Sequence, residues 1–226
     1  MRLRSLFLFD MRFQTKYGFY FLYTVLTAVY IVILLAIPGS WREKAAAVLI
    51  FSDPAAMGLF FMGAIVLLEK SQHTPCALAV SPVRAIEYMI AKAGSLSAVS
   101  LAVAALLALA ADAKHLHIIL PGTMISSVVF TLLGMIVATK TESLNQFILW
   151  TVPVEFACFA PAVLHLFEVT PTWLKYYPAN VCMDMVSGHS PSAAGLLIVM
   201  AMIIILFIYS GFCVLKMWDH TGGAKI

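Results

Sequence analysis

Apolar residues come in long, nearly unbroken blocks, and polar residues are confined to the segments between them. Six blocks approach the roughly 20 apolar residues that a helix needs to cross a bilayer. They cover 19–38, 53–68, 93–112, 117–139, 146–167 and 193–216. The second is short. It starts either near Val48 or at Asp53, with Asp53 as N-cap and Pro54 in the first helical position. The later start is preferred, because an unpaired aspartate within lipid is costly. The pattern predicts an all-α membrane protein with six transmembrane helices.

The intervening segments carry patterns of their own. In residues 1–17, Arg4, Ser5, Arg12, Thr15 and Lys16 cluster on one side of a helical wheel. Leu3, Leu6, Phe9, Phe13 and Tyr17 take the other side, interrupted by Asp10 and Arg2. This predicts an N-terminal interfacial helix lying on the inner leaflet. Residues 69–92, EKSQHTPCALAVSPVRAIEYMIAK, form a polar island with two helix starts, Thr74-Pro75 and Ser81-Pro82. In residues 170–192, Thr170-Pro171 starts one short helix, TWLKYY, and Pro178 breaks it. Asn180 caps a second, VCMDMV, which ends at Gly188. Both are expected to dip into the outer leaflet as half-helices before the sixth span. No internal repeat or linker divides the chain, so 1–226 is read as one transmembrane domain.

Composition agrees. The chain is 62% hydrophobic and 11% charged, with mean hydropathy +0.97, against about 25% charged residues in soluble domains. A water-soluble globule cannot hide that much apolar surface, so lipid is the expected solvent. The net charge of +3 is too small to argue for a nucleic-acid partner. Lys and Arg set the orientation. With both termini in the cytoplasm, Arg2, Arg4, Arg12, Lys16, Lys70, Arg84, Lys92, Lys140, Lys216 and Lys225 fall inside, and only Arg42, Lys44, Lys114 and Lys175 outside. The apolar run after Arg4 ends at Asp10, too short for a cleaved signal, so the first span is expected to be retained. Cys76, Cys158, Cys182 and Cys213 form no C-x-x-C pair, and disulfides are not expected.

Little in the chain points to catalysis. The nearest approach to a phosphate loop, Gly58 to Gly63, continues with Ala64 and Ile65 rather than Lys and Ser/Thr. The chain is therefore not expected to hydrolyse ATP by itself. His73, His115, His117, His165, His189 and His220 are scattered without an H-E-x-x-H, so no metal site is expected. Ser187-Gly188-His189-Ser190 reads as turn chemistry rather than a protease. Glu155 is the sharpest single residue. It lies near the middle of the fifth span, between Pro153 and Pro161. A mid-membrane carboxyl must face a cavity or a partner, or be neutral. Two readings stay open: a cargo- or proton-interacting group on a translocation path, or a carboxylic acid bonded to a neighbouring helix. The flanking prolines predict a bent helix. Gly94, Ala98, Ala102 and Ala105 form a small-residue stripe on the third span, suited to close helix contact.

With the island placed between spans two and three, the chain resembles the type-2 ABC exporter permeases, and more narrowly the fluoroquinolone-export-type permeases. The resemblance covers the whole architecture. It is most specific in DPAAMGLFFMGAIVLLEK and TPCALAVSPVRAIEYMIAK, in the Glu69-Lys70 exit, the 78–82 segment and the Glu87-Tyr88 … Lys92 re-entry. His73 departs from it, since members often carry glycine before the threonine. The resemblance implies a bacterial cell-membrane exporter built from two permease chains, identical or homologous, and two copies of a separate ABC ATP-binding subunit. ATP and Mg would sit on that partner, and this chain would hold no cofactor. It implies a coupling helix made by Thr74, Pro75, Cys76, Ala77, Leu78, Ala79 and Val80, rooted at Glu69 and Lys70 and flanked by the N-terminal helix. A short helix joined rigidly to two spans transmits displacement, whereas a floppy loop does not. The cargo would be amphipathic, drug-like or lipid-like. The alternatives are a proton-coupled secondary carrier using Glu155, which usually shows internal repeats, and a non-transporting membrane scaffold or sensor.

Overall fold

A computed structural model describes residues 2–52 and 56–221. Among these residues the chain is helical and contains no strand. In order, the α-helices are α1 (Arg2–Lys16), α2 (Phe19–Ala36), α3 (Gly39–Ile50), α4 (Met57–Ser71), α5 (Thr74–Ala79), α6 (Ala85–Ala110), α7 (Leu116–Lys140), α8 (Leu144–Leu166), α9 (Pro178–Val186) and α10 (Ala193–Thr221). A 3-10 turn, Thr172–Tyr176, precedes α9. Five helices are long and apolar enough to cross a membrane: α2, α6, α7, α8 and α10 through Asp219. Their positions follow the apolar blocks, except that α6 begins eight residues before the block does.

The interior belongs to α4, α6 and α7, and α2, α8 and α10 form the exterior. At 15 residues, α4 is about 22 Å long, shorter than the hydrocarbon layer. It lies against α7, where the backbones nearly touch: a Cβ on Gly134 would collide with the Leu59 carbonyl. Phe61 of α4 takes the rings of Phe19 and Tyr23 from α2 edge-on, at 4.9 and 4.7 Å. A helix enclosed this way need not meet lipid along its length.

The expected Asp53 cap and Pro54 start fall outside the described residues. On one side of them α3 runs straight into Phe51 and Ser52. On the other, α4 is under way by Met57. The α3 helix lies between the first two apolar blocks, in a segment for which the sequence pattern predicts no element. It packs beside α6 and α9, and its Arg42 donates to the carbonyls of Leu34 (3.1 Å) and Ile37 (3.3 Å), closing the exposed end of α2.

Contacts sort the bundle into two ends. One holds α1, α5, the start of α6 and the last turns of α4, α7 and α10. The other holds α3, α9, the end of α6 and the start of α7. Three expectations for the second end and the stripe are corrected. Pro178 starts α9, with Tyr177 as its N-cap, and Asn180 lies buried inside the helix, donating to Leu174 O at 2.8 Å. The α9 helix is not an outward-facing element: most of its residues are buried, against α7 and α8. The small-residue stripe does not seat a close helix along its length. Gly94 faces Phe7 of α1, but Ala98 and Ala102 line an apolar groove of about 510 Å³ between α2 and α6.

Candidate functional site

The 69–92 segment divides into a buried root and an exposed tip. At the tip, α5 begins at Thr74 with Pro75 in its first turn, where a missing N–H costs nothing. Pro75 is buried, Thr74, Cys76 and Leu78 are half-buried, and Ala77, Ala79 and Val80 are exposed, Val80 to 85%. The other expected helix start does not form. Ser81-Pro82 makes a bend, with the Ser81 hydroxyl donating to Leu78 O at 2.8 Å. The next helix begins only at Ala85, where the Glu87 carboxylate accepts the Arg84 N–H at 3.0 Å. His73, before α5, adopts φ 56°, ψ 21°, the left-handed region that favours glycine.

The root is an ion cluster. Lys92 of α6 donates to Asp10 Oδ1 of α1 at 2.8 Å and to Glu69 Oε1 of α4 at 2.7 Å. All three residues are 3% exposed. Two carboxylates face one ammonium, and neutral donors hold the remaining oxygens. The Tyr88 hydroxyl donates to Glu69 Oε2 at 2.7 Å. Gln14 Nε2 donates to Asp10 Oδ2 at 3.1 Å and to Ser95 Oγ at 2.9 Å, and the Ser95 hydroxyl donates to Asp10. Trp218 of α10 stands edge-on to Tyr88 at 5.7 Å. Thr74 and Leu78 of α5 share a cavity of about 30 Å³ with Asp10, Glu69 and Lys92, so the exposed helix rests on the cluster. Lys70, one residue past Glu69, points elsewhere. It donates to Ala138 O (2.8 Å), Thr139 O (2.9 Å) and Thr141 O (2.8 Å), capping the end of α7.

A short helix follows Thr74-Pro75, over Thr74–Ala79, while the polar island is not polar surface throughout: Glu69 and Lys92 are interior groups. Asp10 is the anchor of α1, not an interruption of its apolar face. The available signal was Asp10 with Gln14, polar residues four apart that share one helix face.

Glu155 lies away from this cluster. It is half-buried on α8, without a hydrogen bond or ion pair among the described residues, beside exposed Val152 and Phe156. Its α8 stays one helix through Pro153 and Pro161. At the α9 end, Ser187 Oγ and His189 Nδ1 meet at 2.9 Å, but Ser187 also donates to Asp184 O. The Asp184 carboxylate turns to His165 instead, at 3.0 Å from Nε2, while His165 Nδ1 meets Thr170 at 3.0 Å. Among the described residues no carboxylate bonds His189, and the contact reads as a helix-end turn.

An all-helical bundle with five bilayer-length apolar helices defines a multi-pass membrane protein. The model of the Fluoroquinolones export permease protein family matches residues 1–219, and the chain belongs to that family. It is 29% identical over 150 residues to the fluoroquinolones export permease proteins of Mycobacterium tuberculosis strains CDC 1551 / Oshkosh and ATCC 25618 / H37Rv. The match covers 66% of this chain and 63% of the length of each relative.

Proposed function

We propose that the chain is the membrane-spanning permease subunit of an ATP-driven ABC exporter of the type-2 class, and that a separate ATP-binding subunit grips α5. The observation that carries this reading is an exposed helical tip, Ala77, Ala79 and Val80, seated on a buried ion cluster. A tip that is open to a partner yet fixed to three helices is what force transfer needs. With α4 counted as the second, the chain has six spans. The distribution of cations supports a cytoplasmic α5 end. Lys70, Lys140 and Lys216 line one cleft there, joined by Arg4, Arg12 and Lys16 of α1 and by Arg84 and Lys92 at the start of α6, whereas Arg42, Lys44 and Lys114 lie at the other end.

Two copies of the ATP-binding subunit, carrying ATP and Mg, would serve two permease chains. The exposed face of α8, with Val152 and Phe156 beside Glu155, suits the second chain or the translocation path. The relatives' names make an amphipathic, fluoroquinolone-like cargo the reading to test first.

Co-purification is the direct test. The parent chain is expected to bring down an ABC ATP-binding protein, and Ala77→Asp is expected to abolish this without lowering the melting temperature. Ala77 suits better than Leu78, whose side chain lines the small cavity. A chain that exports a fluoroquinolone from proteoliposomes alone, without ATP, would overturn the proposal in favour of a carrier.

A further inference from the structure

We infer that Asp10, through Lys92, is a positioning residue: it latches α1 to the root of the 69–92 segment, so that α1 moves with α5 as one body. The inference rests on the exporter reading for its role in transport, but the latch itself does not.

An interfacial helix can be held by lipid alone, with its polar side chains in water. This one is not. Asp10, 3% exposed, leaves solvent and reaches Lys92 at 2.8 Å. A buried charge is stable only when paired and hydrogen-bonded. The seat of α1 is therefore specified in angle and register by a point contact, which apolar packing on lipid would not do. The contact lies beside α5, since Leu6 and Phe9 of α1 line the same small cavity as Thr74 and Leu78. A second tether sits at the far end of α1, where Gln72 Nε2 donates to Tyr17 OH at 2.5 Å. Between them, α1 is joined to both sides of the segment: to Lys92 on α6, and to Gln72 just past α4. Displacement of α5 then carries α1 along the membrane surface, widening the moving part beyond two spans.

The latch is tested on the full chain in lipid nanodiscs with an arginine-specific protease, since Arg12 is exposed on α1. Asp10→Ala removes the carboxylate of α1 from the cluster and leaves Lys92 and Glu69 as a balanced pair, with the Gln14–Ser95 bond as the remaining polar contact of α1 there. Cutting after Arg12 is expected at least tenfold faster than in the parent. The exchange D10K/E69Q/K92D, which reverses the pair and replaces the Glu69 carboxylate that would otherwise face the new one, is expected to restore protection to within twofold. Equal cutting of D10A and the parent overturns the latch. If D10A does not fold, the exchange decides: parental protection supports the latch, and rapid cutting or misfolding overturns it.

The role in transport is tested in vesicles that also contain the ATP-binding partner. D10A is expected to move at least fivefold less fluoroquinolone per ATP, with ATP hydrolysis within twofold of the parent. Unchanged transport per ATP overturns the role of Asp10 in coupling and leaves the exporter reading intact. No ATP-dependent transport by the parent sinks the exporter reading and leaves the protease result standing.

Discussion

His73 shows how much one residue can say about its place. Its φ of 56° is a conformation that costs an ordinary L-residue roughly 1–2 kcal/mol. Glycine adopts the same backbone angles without that cost. His73→Gly should raise stability by about 1 kcal/mol, less the entropy that glycine loses on folding. Thermal unfolding in detergent would register this as a higher melting temperature. A lower one would mean that the imidazole holds the turn in some other way. Lys70 is the opposite case, a side chain whose whole value lies in its bonds. Lys70→Met leaves three carbonyls at the end of α7 without their cation. A charged donor in such a site is worth about 2 kcal/mol, so the same unfolding measurement should show a clear loss.

Among the elements, α4 and α7 depend most on a close fit. Gly134 sits where any Cβ meets the α4 backbone, and forced overpacking of this kind costs about 1–3 kcal/mol. Gly134→Ala should therefore destabilise the fold by that amount, and Gly134→Leu should leave no monodisperse protein on size exclusion. The long apolar blocks made α2, α6, α7, α8 and α10 readable to within a few residues at most ends, because lipid demands continuous apolar sequence. Helix α3 was not readable. Its start, GSWREK, is polar and its middle is alanine, so neither a bilayer pattern nor an amphipathic stripe marks it. The early start of α6 was hidden for a related reason. Arg84, Glu87 and Lys92 look like surface charge until Asp10 and Glu69, distant in sequence, are brought to Lys92. A helical wheel treats Asp10 as noise on an apolar face. Only the packing of α1 on α6 gives it a partner.

At the scale of the molecule, α2, α8 and α10 present large apolar side chains outward: Phe21, Val32, Leu149, Phe156, Leu197 and Ile208 are all more than 60% exposed. Lipid can cover such a surface, and so can another copy. The two are separable. In a background lacking Cys76, Cys158, Cys182 and Cys213, Leu149→Cys should give a disulfide-linked pair on mild oxidation in membranes if α8 faces α8 across a two-fold axis. A monomer throughout would assign that face to lipid or to a different permease chain. Glu155→Gln bears on the same helix. Having no polar partner among the described residues, Glu155 should be replaceable without loss of melting temperature. Unchanged fluoroquinolone efflux in addition would remove it from the transport path.

Glu69 and Lys70 are neighbours on α4, and their side chains leave it in different directions, one to Lys92 of α6, the other to the end of α7. The segment that follows is thus stiff where it leaves α4. Where it returns, through the Ser81-Pro82 bend to the cap at Arg84, the hydrogen bonds of Ser81, Val83 and Arg84 are local. A load on α5 has no hinge to spend itself on at Glu69 and Lys70. It passes to α4 and, through those two side chains, bears on α6 and α7 together.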